Sequence, residues 1–255
     1  DYLKNFVMTN PEQKELLPTT NAVRDRRRSK KFLFLNGGGR PHRKFMITEL
    51  QRQNLLKDSI WSYLQKFDIP YTPEEFCWLP IKKGTGDRSL VDMLEYHRQH
   101  GNNITETHVD VNAETDAWHN RGMTAEHYAD SYFNIVTETW PANPSFFVTE
   151  KIFKPIVNLQ PFAVCGLPGN LKYLKDKGYE TFGDWFVEDY DNIEGAPQRM
   201  FYLTRELIRV AKMDHEELHK KYIDSWEKLV HNRNHFFSYD HTEGFKDLLG
   251  EIAKL

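Results

Sequence analysis

The sequence predicts an α/β protein with a Rossmann-like parallel sheet flanked by helices. Short, almost wholly apolar segments recur along the chain, helical periodicity follows them, and loops with glycine or proline separate the two. Strands of a parallel sheet are covered by helices on both faces, so near-continuous apolar runs are typical of them. Segments of this kind begin at Phe32, Ser131 and Pro161.

Length and composition fit one large domain. The chain has 255 residues, of which 14% are aromatic and 28% are charged, and its formal net charge is −3. A dedicated nucleic-acid-binding protein would be distinctly basic, so we expect no nucleic-acid partner. No apolar run reaches the length of a membrane span, so we expect no membrane segment in this chain.

Cysteine usage favours a reducing compartment. Cys77 and Cys165 lie far apart, without the spacing of a metal site, and nothing predicts a disulfide framework. Cys165 lies in an apolar segment, where a small buried thiol is expected. Because no secretory leader is visible either, we expect a cytoplasmic location.

The first part of the chain predicts a polar lead segment, residues 1–30, before an α/β domain over residues 31–255. The lead ends in a basic run, Arg24–Lys31, which we predict to be solvated surface. Phe32–Asn36 predicts a buried strand, and apolar positions behind the following glycine triplet predict a helix. Asp58–Gln65 is compatible with a second strand or a helix end, and periodicity does not decide between them.

An irregular insertion is expected at about residues 68–130. This stretch is rich in His, Asn, Pro and Gly, with one helix-like segment at Ser89–His100. It is longer than simple connections between strands and helices require, which makes it a candidate functional region.

The second half alternates strands and helices and ends in a helical tail. Ser131–Thr139 predicts a strand, and Ile152, Ile156 and Leu159 form an apolar helical stripe. Pro155 is compatible with that helix only within or near its first turn. Further segments are predicted as a strand at 161–166, a helix at 171–177 ended by a glycine, and helices from 197 onward.

Ligands of open parallel sheets bind at the carboxyl ends of the strands, which directs attention to three loops. The loop after Asn36 offers three glycines, with Arg40, His42 and Arg43 to neutralise an anion. The loop after Val136 offers Glu138. The loop after Cys165 begins with Gly166 and brings backbone close to the cleft.

Glu150 and Lys151 stand together where a helix is expected to begin. Exposed amides and the helix dipole favour a phosphate at such a position, and a lysine adds a point charge. A carboxylate there suits a neutral diol such as ribose. The residues alone leave two interpretations open: an anion-binding helix start, or an ordinary charged first turn on a solvated surface.

The segments FNIVTET and FFVTEKIFKPIVNLQPFAVCG, at about Phe133 to Gly166, resemble the C-terminal half of the α-1,3-fucosyltransferases. Those enzymes are inverting, have a GT-B-type fold and use a GDP-sugar. The resemblance extends less closely over Phe32–Arg43. The later stretch Tyr173–Gly195 is similar to glycosyltransferase-like proteins of viruses and marine microbes. The resemblance implies a nucleotide-sugar-binding domain of the GT-B C-terminal type.

Carried over by position, the resemblance implies that Glu150 holds the ribose and Lys151 the diphosphate. Either Arg40 or Arg43 takes the family's phosphate-binding arginine, and Glu138 matches a family glutamate. Thr139 stands where the family has Asn, and Phe147 where it has Tyr, so contacts with the base or sugar differ there. The implied nucleotide-sugar-binding residues are Asn36, Arg40, Arg43, Glu138, Thr139, Phe147, Thr149, Glu150, Lys151 and Gly166.

Two other motifs compete with this interpretation. His215 and His219 lie in a formal HExxH pattern, but charged neighbours favour a chance match on a solvated helix over a zinc site. Asp189 and Asp191 match the DxD pattern of metal-dependent glycosyltransferases. Surface acid or capping of a helix start is the favoured interpretation of that pair, so we expect no metal.

The sequence therefore predicts a metal-independent, fucosyltransferase-like glycosyltransferase. It would transfer a sugar such as fucose, with inversion, from a GDP-linked donor to a glycan or other hydroxyl acceptor, without a further cofactor. The general base stays unassigned; Asp110, Glu114 and Asp116 are conceivable carboxylates in the insertion. Two alternatives are a non-catalytic nucleotide-sugar-binding module that needs a partner domain and, more remotely, a metallohydrolase built on HEELH.

Overall fold

The described residues form a four-stranded parallel sheet. The computed structural model describes residues 16–64, 88–107, 124–138 and 148–239. Its strands are β1 (Lys30–Asn36), β2 (Ser59–Tyr63), β3 (Ser131–Thr137) and β4 (Phe162–Cys165). The order across the sheet is β2-β1-β3-β4, and every neighbouring pair is parallel. The predicted α/β class with a parallel sheet is confirmed, and Asp58–Gln65 contributes a strand.

Helices precede and follow the strands along the chain. They are α1 (Asn21–Asp25), α2 (Pro41–Arg52), α3 (Arg88–His100), α4 (Ala125–Asp130), α5 (Glu150–Val157), α6 (Asn170–Asp176), α7 (Ala196–Lys212), α8 (His215–Asp224) and α9 (Trp226–Ser238). Short 3₁₀ segments at Leu56–Asp58 and Glu188–Asn192 complete the described elements. The predicted helices behind the glycine triplet and after the fourth strand are present, as is the helical tail.

Strand β3 is buried along its whole length, since all seven of its residues are buried. Phe133 on this strand packs edge-on against Phe32 of β1, with ring centroids 6.2 Å apart. The rings of Trp185 and Phe186 also pack against Phe133, with centroid distances of 5.4 Å and 5.7 Å. These rings join the two central strands to the segment that precedes the helical tail, which explains why the apolar runs predicted the strands well.

Helix α5 accommodates Pro155 in its interior instead of its first turn. The expectation about the position of this proline was therefore wrong. Pro155 has no N–H to donate to the carbonyl of Lys151, so the helix loses one bond. Compensation comes at the helix end, where the Asn158 side chain and backbone N–H both bond to Lys154 O, at 3.0 and 3.2 Å. Below this end, Tyr222 donates its hydroxyl to Leu159 O at 2.8 Å.

The basic run differs from its prediction at Arg28, which is only 3% exposed. Its guanidinium lies 3.5 Å from the centroid of the Tyr222 ring, and its Nη1 donates to Arg26 O at 2.8 Å. Lys31 likewise turns inward and donates to the carbonyls of Ala211 and Met213, at the C-terminal end of α7. A cation is favourable at that end because the helix dipole is negative there. The run thus ties the lead segment to the helical tail.

The described part of the insertion contains a helix packed on α2. The ring of His97 on α3 stacks on Phe45 with centroids 4.1 Å apart. Beside it, the buried Glu49 carboxylate accepts hydrogen bonds from Arg52 at 2.5 Å and Gln53 at 3.1 Å. Residues 65–87 and 108–123, with Asp110, Glu114 and Asp116, lie outside the described residues.

Both outer strands have partners beyond the sheet. The Tyr190 hydroxyl accepts a hydrogen bond from Val164 N of β4 at 3.1 Å. On the other side, Tyr63 of β2 forms an antiparallel bridge with Thr107. Among the helices in the described ranges, none is both long and apolar enough to span a bilayer.

We expect Arg28→Ala to lower the free energy of unfolding by about 2 kcal/mol, because it removes a desolvated cation–π contact and leaves two partly buried carbonyls without this donor. Arg24→Ala is the matched control in the same run, since the Arg24 side chain forms a surface ion pair with Asp25. We expect that control to unfold at the same urea concentration as the wild-type protein, because exposed ion pairs contribute little to stability. Urea unfolding followed by circular dichroism measures both, and equal stabilities would contradict the structural role of Arg28.

Candidate functional site

The candidate site lies where β1 and β3 end side by side. The chain leaves β1 towards β2 on one side and returns to β3 on the other, so a topological switch point lies between β1 and β3. Open parallel sheets bind ligands in the crevice outside this point. The two strand ends are joined by the Thr137 hydroxyl, which donates to Asn36 Oδ1 at 2.7 Å.

Helix α2 begins directly above the end of β1. Arg40 is its N-cap, and Pro41 occupies the first turn, where a missing N–H has no effect. In the glycine loop, Arg40 N donates to Gly38 O at 2.9 Å, which turns the chain into the helix. His42 in the first turn reaches across the crevice, with its Nε2 2.6 Å from Glu138 O.

His42 is neutral and buried. A carbonyl oxygen only accepts, so Nε2 carries the proton and the ring is in its Nε2–H tautomer. Burial, reinforced by the positive charges of Arg43, Arg40 and Lys151, holds the pKa of His42 well below its usual value. The imidazole therefore contributes a hydrogen bond to this site and no positive charge.

Arg43 is the most unusual group of the site, because its guanidinium is buried without a carboxylate partner among the described residues. The side chain is 7% exposed, and its Nη1 donates to Gly38 O at 3.3 Å. Burial, and then the charge of Arg40, lower its pKa, while the carboxylates of Glu138 and Glu150 act in the opposite direction. A buried cation of this kind is destabilising unless an anion satisfies it.

Two donors at this point have no hydrogen-bond acceptor within the described parts of the chain. They are Nε of Arg43 and Nδ2 of Asn36, and both are buried. Leaving a buried donor unsatisfied costs about 1–3 kcal/mol, so such groups are normally paired with protein, water or ligand. Two of them at the end of the central strand indicate an acceptor-rich ligand.

Glu138 joins the end of β3 to the start of α5. The Glu138 carboxylate accepts from Thr149 N at 3.0 Å and from the Thr149 hydroxyl at 2.5 Å. Thr149 is also the N-cap of α5 and accepts from Lys151 N at 3.3 Å. Both residues were predicted to bind ligand, and here each binds the other. They hold the start of α5 against the strand end.

Glu150 and Lys151 form an ion pair with each other across 2.8 Å, and both are partly exposed. The cation of Lys151, with help from Lys154, lowers the pKa of Glu150 against the effect of burial, so this carboxyl is ionised at neutral pH. Burial lowers the pKa of Lys154 to about 8. Lys154 lies close enough to Glu150 and Lys151 to interact with both charges, and no motif in the sequence identified it.

The loop after β4 approaches the site through Gly166. A Cβ on Gly166 would lie 2.6 Å from Asn170 Nδ2 and 3.4 Å from Glu138 Cβ, so only glycine allows this approach. Arg199, from the start of α7, donates its Nε to Gly166 O at 2.9 Å and Nη1 to Ile193 O at 2.6 Å. Sequence reasoning missed Arg199, because a helical arginine carries no local mark of a contact with a distant loop. Cys165 is buried and free, as predicted.

Asp191 of the DxD motif caps a helix. Its Oδ2 accepts from Leu171 N at 3.0 Å and Lys172 N at 3.1 Å, at the start of α6. The capping role is therefore confirmed, although the helix lies about 20 residues earlier and is not the one that follows. The alternative of surface acid is wrong for Asp191, which is buried, and burial raises its pKa.

The HEELH segment lies on α8, whose first turn is closed by a capping box between Asp214 and Glu217. His215 is half-exposed, with its Nε2 3.3 Å from Asp58 Oδ2, while His219 is buried beside Tyr132. The expectation of a solvated helix thus holds for one face only. Within the described ranges, no three His, Cys, Asp or Glu side chains are grouped so as to hold a metal ion.

The structure brings most predicted site residues to one edge of the sheet. Three elements contribute to it: the end of β1 with the start of α2, the end of β3 with the start of α5, and Gly166 after β4. Thr139 and Phe147 lie outside the described residues. The predicted residues placed at this edge are Asn36, Arg40, Arg43, Glu138, Thr149, Glu150, Lys151 and Gly166.

Comparison with known proteins gave no assignment: no protein-family model, curated protein sequence or solved structure matches the chain.

We expect Thr149→Val to lower the free energy of unfolding by about 2 kcal/mol, because it removes the helix cap and leaves a buried carboxylate short of a donor. Thr204→Val is a matched control, since the Thr204 hydroxyl is also buried but only donates to Met200 O within its own helix. That change should cost about 1 kcal/mol or less. Urea unfolding compares the two; a Thr149 variant as stable as the control would contradict the junction between β3 and α5.

Proposed function

We propose that the protein is an inverting glycosyltransferase that uses a nucleotide diphosphate sugar. The proposed donor is GDP-linked, with fucose as the sugar to test first, and the acceptor is a glycan or another hydroxyl compound. The observation that carries the proposal is Arg43, a buried guanidinium without a carboxylate partner among the described residues, at the switch point of a parallel sheet. Arginine binds phosphate through charge-assisted, bidentate hydrogen bonds.

The proposed diphosphate lies between the starts of α2 and α5. Both helix dipoles direct partial positive charge to this place, and Arg43 and Lys151 add full charges. Glu150 accepts hydrogen bonds from the ribose hydroxyls, for which its ionised carboxylate is suited. When the diphosphate binds, Lys151 exchanges part of its ion pair with Glu150 for phosphate oxygens. This arrangement agrees with the roles that the fucosyltransferase resemblance implies.

The same cations support the chemistry. In an inverting transfer, an acceptor hydroxyl attacks the anomeric carbon while the bond to the diphosphate breaks, so negative charge develops on the leaving phosphate. Arg43 and Lys151 stabilise that charge in a partly desolvated cleft, which lowers the barrier without a required metal. His42 keeps the end of β3 in position through its bond to Glu138 O.

A non-catalytic nucleotide-sugar-binding module is the second candidate. The carboxylates of Glu138 and Glu150 already have protein partners, which favours this candidate. Glu138 is bonded to Thr149, and Glu150 is paired with Lys151. Neither is placed to deprotonate an acceptor. Under the enzymatic proposal the general base is therefore a group other than Glu138 and Glu150.

We expect Arg43→Met to weaken binding of GDP at least about 100-fold, since it removes a buried phosphate contact. Arg40→Met, at the more exposed N-cap position, should weaken it about 10-fold or less. Calorimetric titration with GDP, UDP, CMP and ADP, each with and without EDTA, measures these affinities.

Three outcomes would count against the proposal. Failure of the wild-type protein to bind any of the four nucleotides would refute it, and binding only without EDTA would refute metal independence. A larger loss in Arg40→Met than in Arg43→Met would transfer the phosphate-binding role to Arg40. Hydrolysis or transfer of GDP-fucose then separates the enzyme from the binding module.

We expect GDP affinity to fall about fivefold as pH rises through about 8, because Lys154 then loses its proton beside the bound anion. The pKa of this lysine is depressed, so its charge is present below that pH and lost above it. Titrations between pH 7 and 9.5 measure the effect, with Lys154→Gln as the comparison. A wild-type profile as flat as that of the variant would show that Lys154 does not face the ligand.

A further inference from the structure

The β4 side of the crevice differs chemically from the α2 side. At the start of α6 the backbone N–H groups of Leu171 and Lys172 already bond to the Asp191 carboxylate. Gly169 N in addition donates to Asp191 O at 2.8 Å. The buried carboxylate occupies the place that a phosphate would take at a helix start, and its charge repels another anion. The phosphates of a ligand are therefore directed to the α2 and α5 side.

Asn170 lies on the β4 side, where it is the first residue of α6 and adjoins Gly166. Its side chain is 1% exposed, and its Nδ2 donates to Leu167 O at 2.6 Å. This bond fixes the orientation of the amide, because only nitrogen can donate to that carbonyl. The amide also lies 2.6 Å from the point that a Cβ on Gly166 would occupy, and Glu138 Cβ lies 3.4 Å from the same point. Asn170 therefore adjoins the end of β3, where the candidate site begins.

The amide oxygen of Asn170 has no donor. Asn170 Oδ1 is buried and makes no hydrogen bond within the described parts of the chain. It is an unsatisfied acceptor, whereas Asn36 Nδ2 and Arg43 Nε on the other side are unsatisfied donors. One side of the crevice thus requires acceptors and the other requires a donor. A nucleotide has this polarity, since its phosphates only accept hydrogen bonds and its base carries N–H groups.

We propose that Asn170 Oδ1 accepts a hydrogen bond from an N–H group of the nucleobase and thereby selects the base. This inference rests on the proposed nucleotide-sugar function. The ribose is a less suitable donor, because Glu150 at the start of α5 is the group proposed to bind it. Guanine offers two adjacent donors, its N1–H and its 2-amino group, which fits a GDP-linked donor. A glycine at position 166 is needed for this contact, because any side chain there would displace the Asn170 amide.

The experiment is a mutant cycle between Asn170 and groups of the base, measured by calorimetric titration of the full chain. Inosine diphosphate lacks only the 2-amino group of GDP, and 2-aminopurine riboside diphosphate lacks N1–H together with O6. We expect one of these analogues to bind the wild-type protein on the order of 10-fold more weakly than GDP, since an unpaired buried acceptor is left behind. In Asn170→Ala that difference should disappear.

Asn158→Ala is the matched control. Asn158 is also buried and also donates its Nδ2 to a backbone carbonyl, that of Lys154 at 3.0 Å, but it lies at the opposite end of α5. This variant should lose stability and keep the wild-type ratio between GDP and the analogue. Thermal unfolding shows whether each variant is folded, and the comparison of GDP with the two analogues on the wild-type protein keeps the test decisive if Asn170→Ala is not.

The outcomes separate the two proposals. If the wild-type protein binds GDP but both analogues bind equally well, or the penalty survives in Asn170→Ala, Asn170 Oδ1 pairs with water and base selection by Asn170 is refuted. The nucleotide-binding function then stands. If the wild-type protein binds no nucleotide, the proposed function fails and base selection fails with it.

Discussion

The site depends above all on the hydrogen bonds of one residue, Glu138. Its carboxylate holds Thr149 at the start of α5, its carbonyl oxygen accepts from His42 of α2, and its N–H donates to Cys165 O at the end of β4. A single residue after the central strand thus joins three elements that carry the candidate ligand-binding groups. Because its carboxylate, its carbonyl oxygen and its N–H all bond to protein groups, Glu138 has a structural role at the crevice.

Positive charges outnumber negative charges around the crevice. Four cationic side chains, from Arg40, Arg43, Lys151 and Lys154, surround two carboxylates, those of Glu138 and Glu150. The excess positive charge is partly desolvated, which depresses the pKa of Arg43 and Lys154 and keeps His42 neutral. This cluster is unfavourable, but the sheet and the starts of α2 and α5 fix the positions of its residues. Proteins commonly retain such local cost where a ligand relieves it.

The sequence predicted what depends on local pattern and missed what depends on distant contacts. Apolar runs and glycines located the strands and helix starts, because the burial of a segment and the conformation of a turn depend on residues that are close in the sequence. No local signal separates Arg28, which stacks on Tyr222, from the exposed arginines beside it. Nor could spacing show that Asp191 caps a helix that begins earlier in the chain. The candidate site residues were predicted by resemblance, and Asn170 was identified only from the missing donor to its Oδ1.

The contact between Tyr190 and β4 has a consequence for behaviour in concentrated solution. An outer strand with free N–H groups is a template on which another chain can add a strand, the first step of many aggregation pathways. Val164 N in the middle of β4 is already bonded to the Tyr190 hydroxyl, and β4 itself is only four residues long. A strand from a second molecule would have to displace a buried tyrosine to pair there. The Tyr190 hydroxyl therefore withdraws one N–H of this edge from pairing with a second molecule.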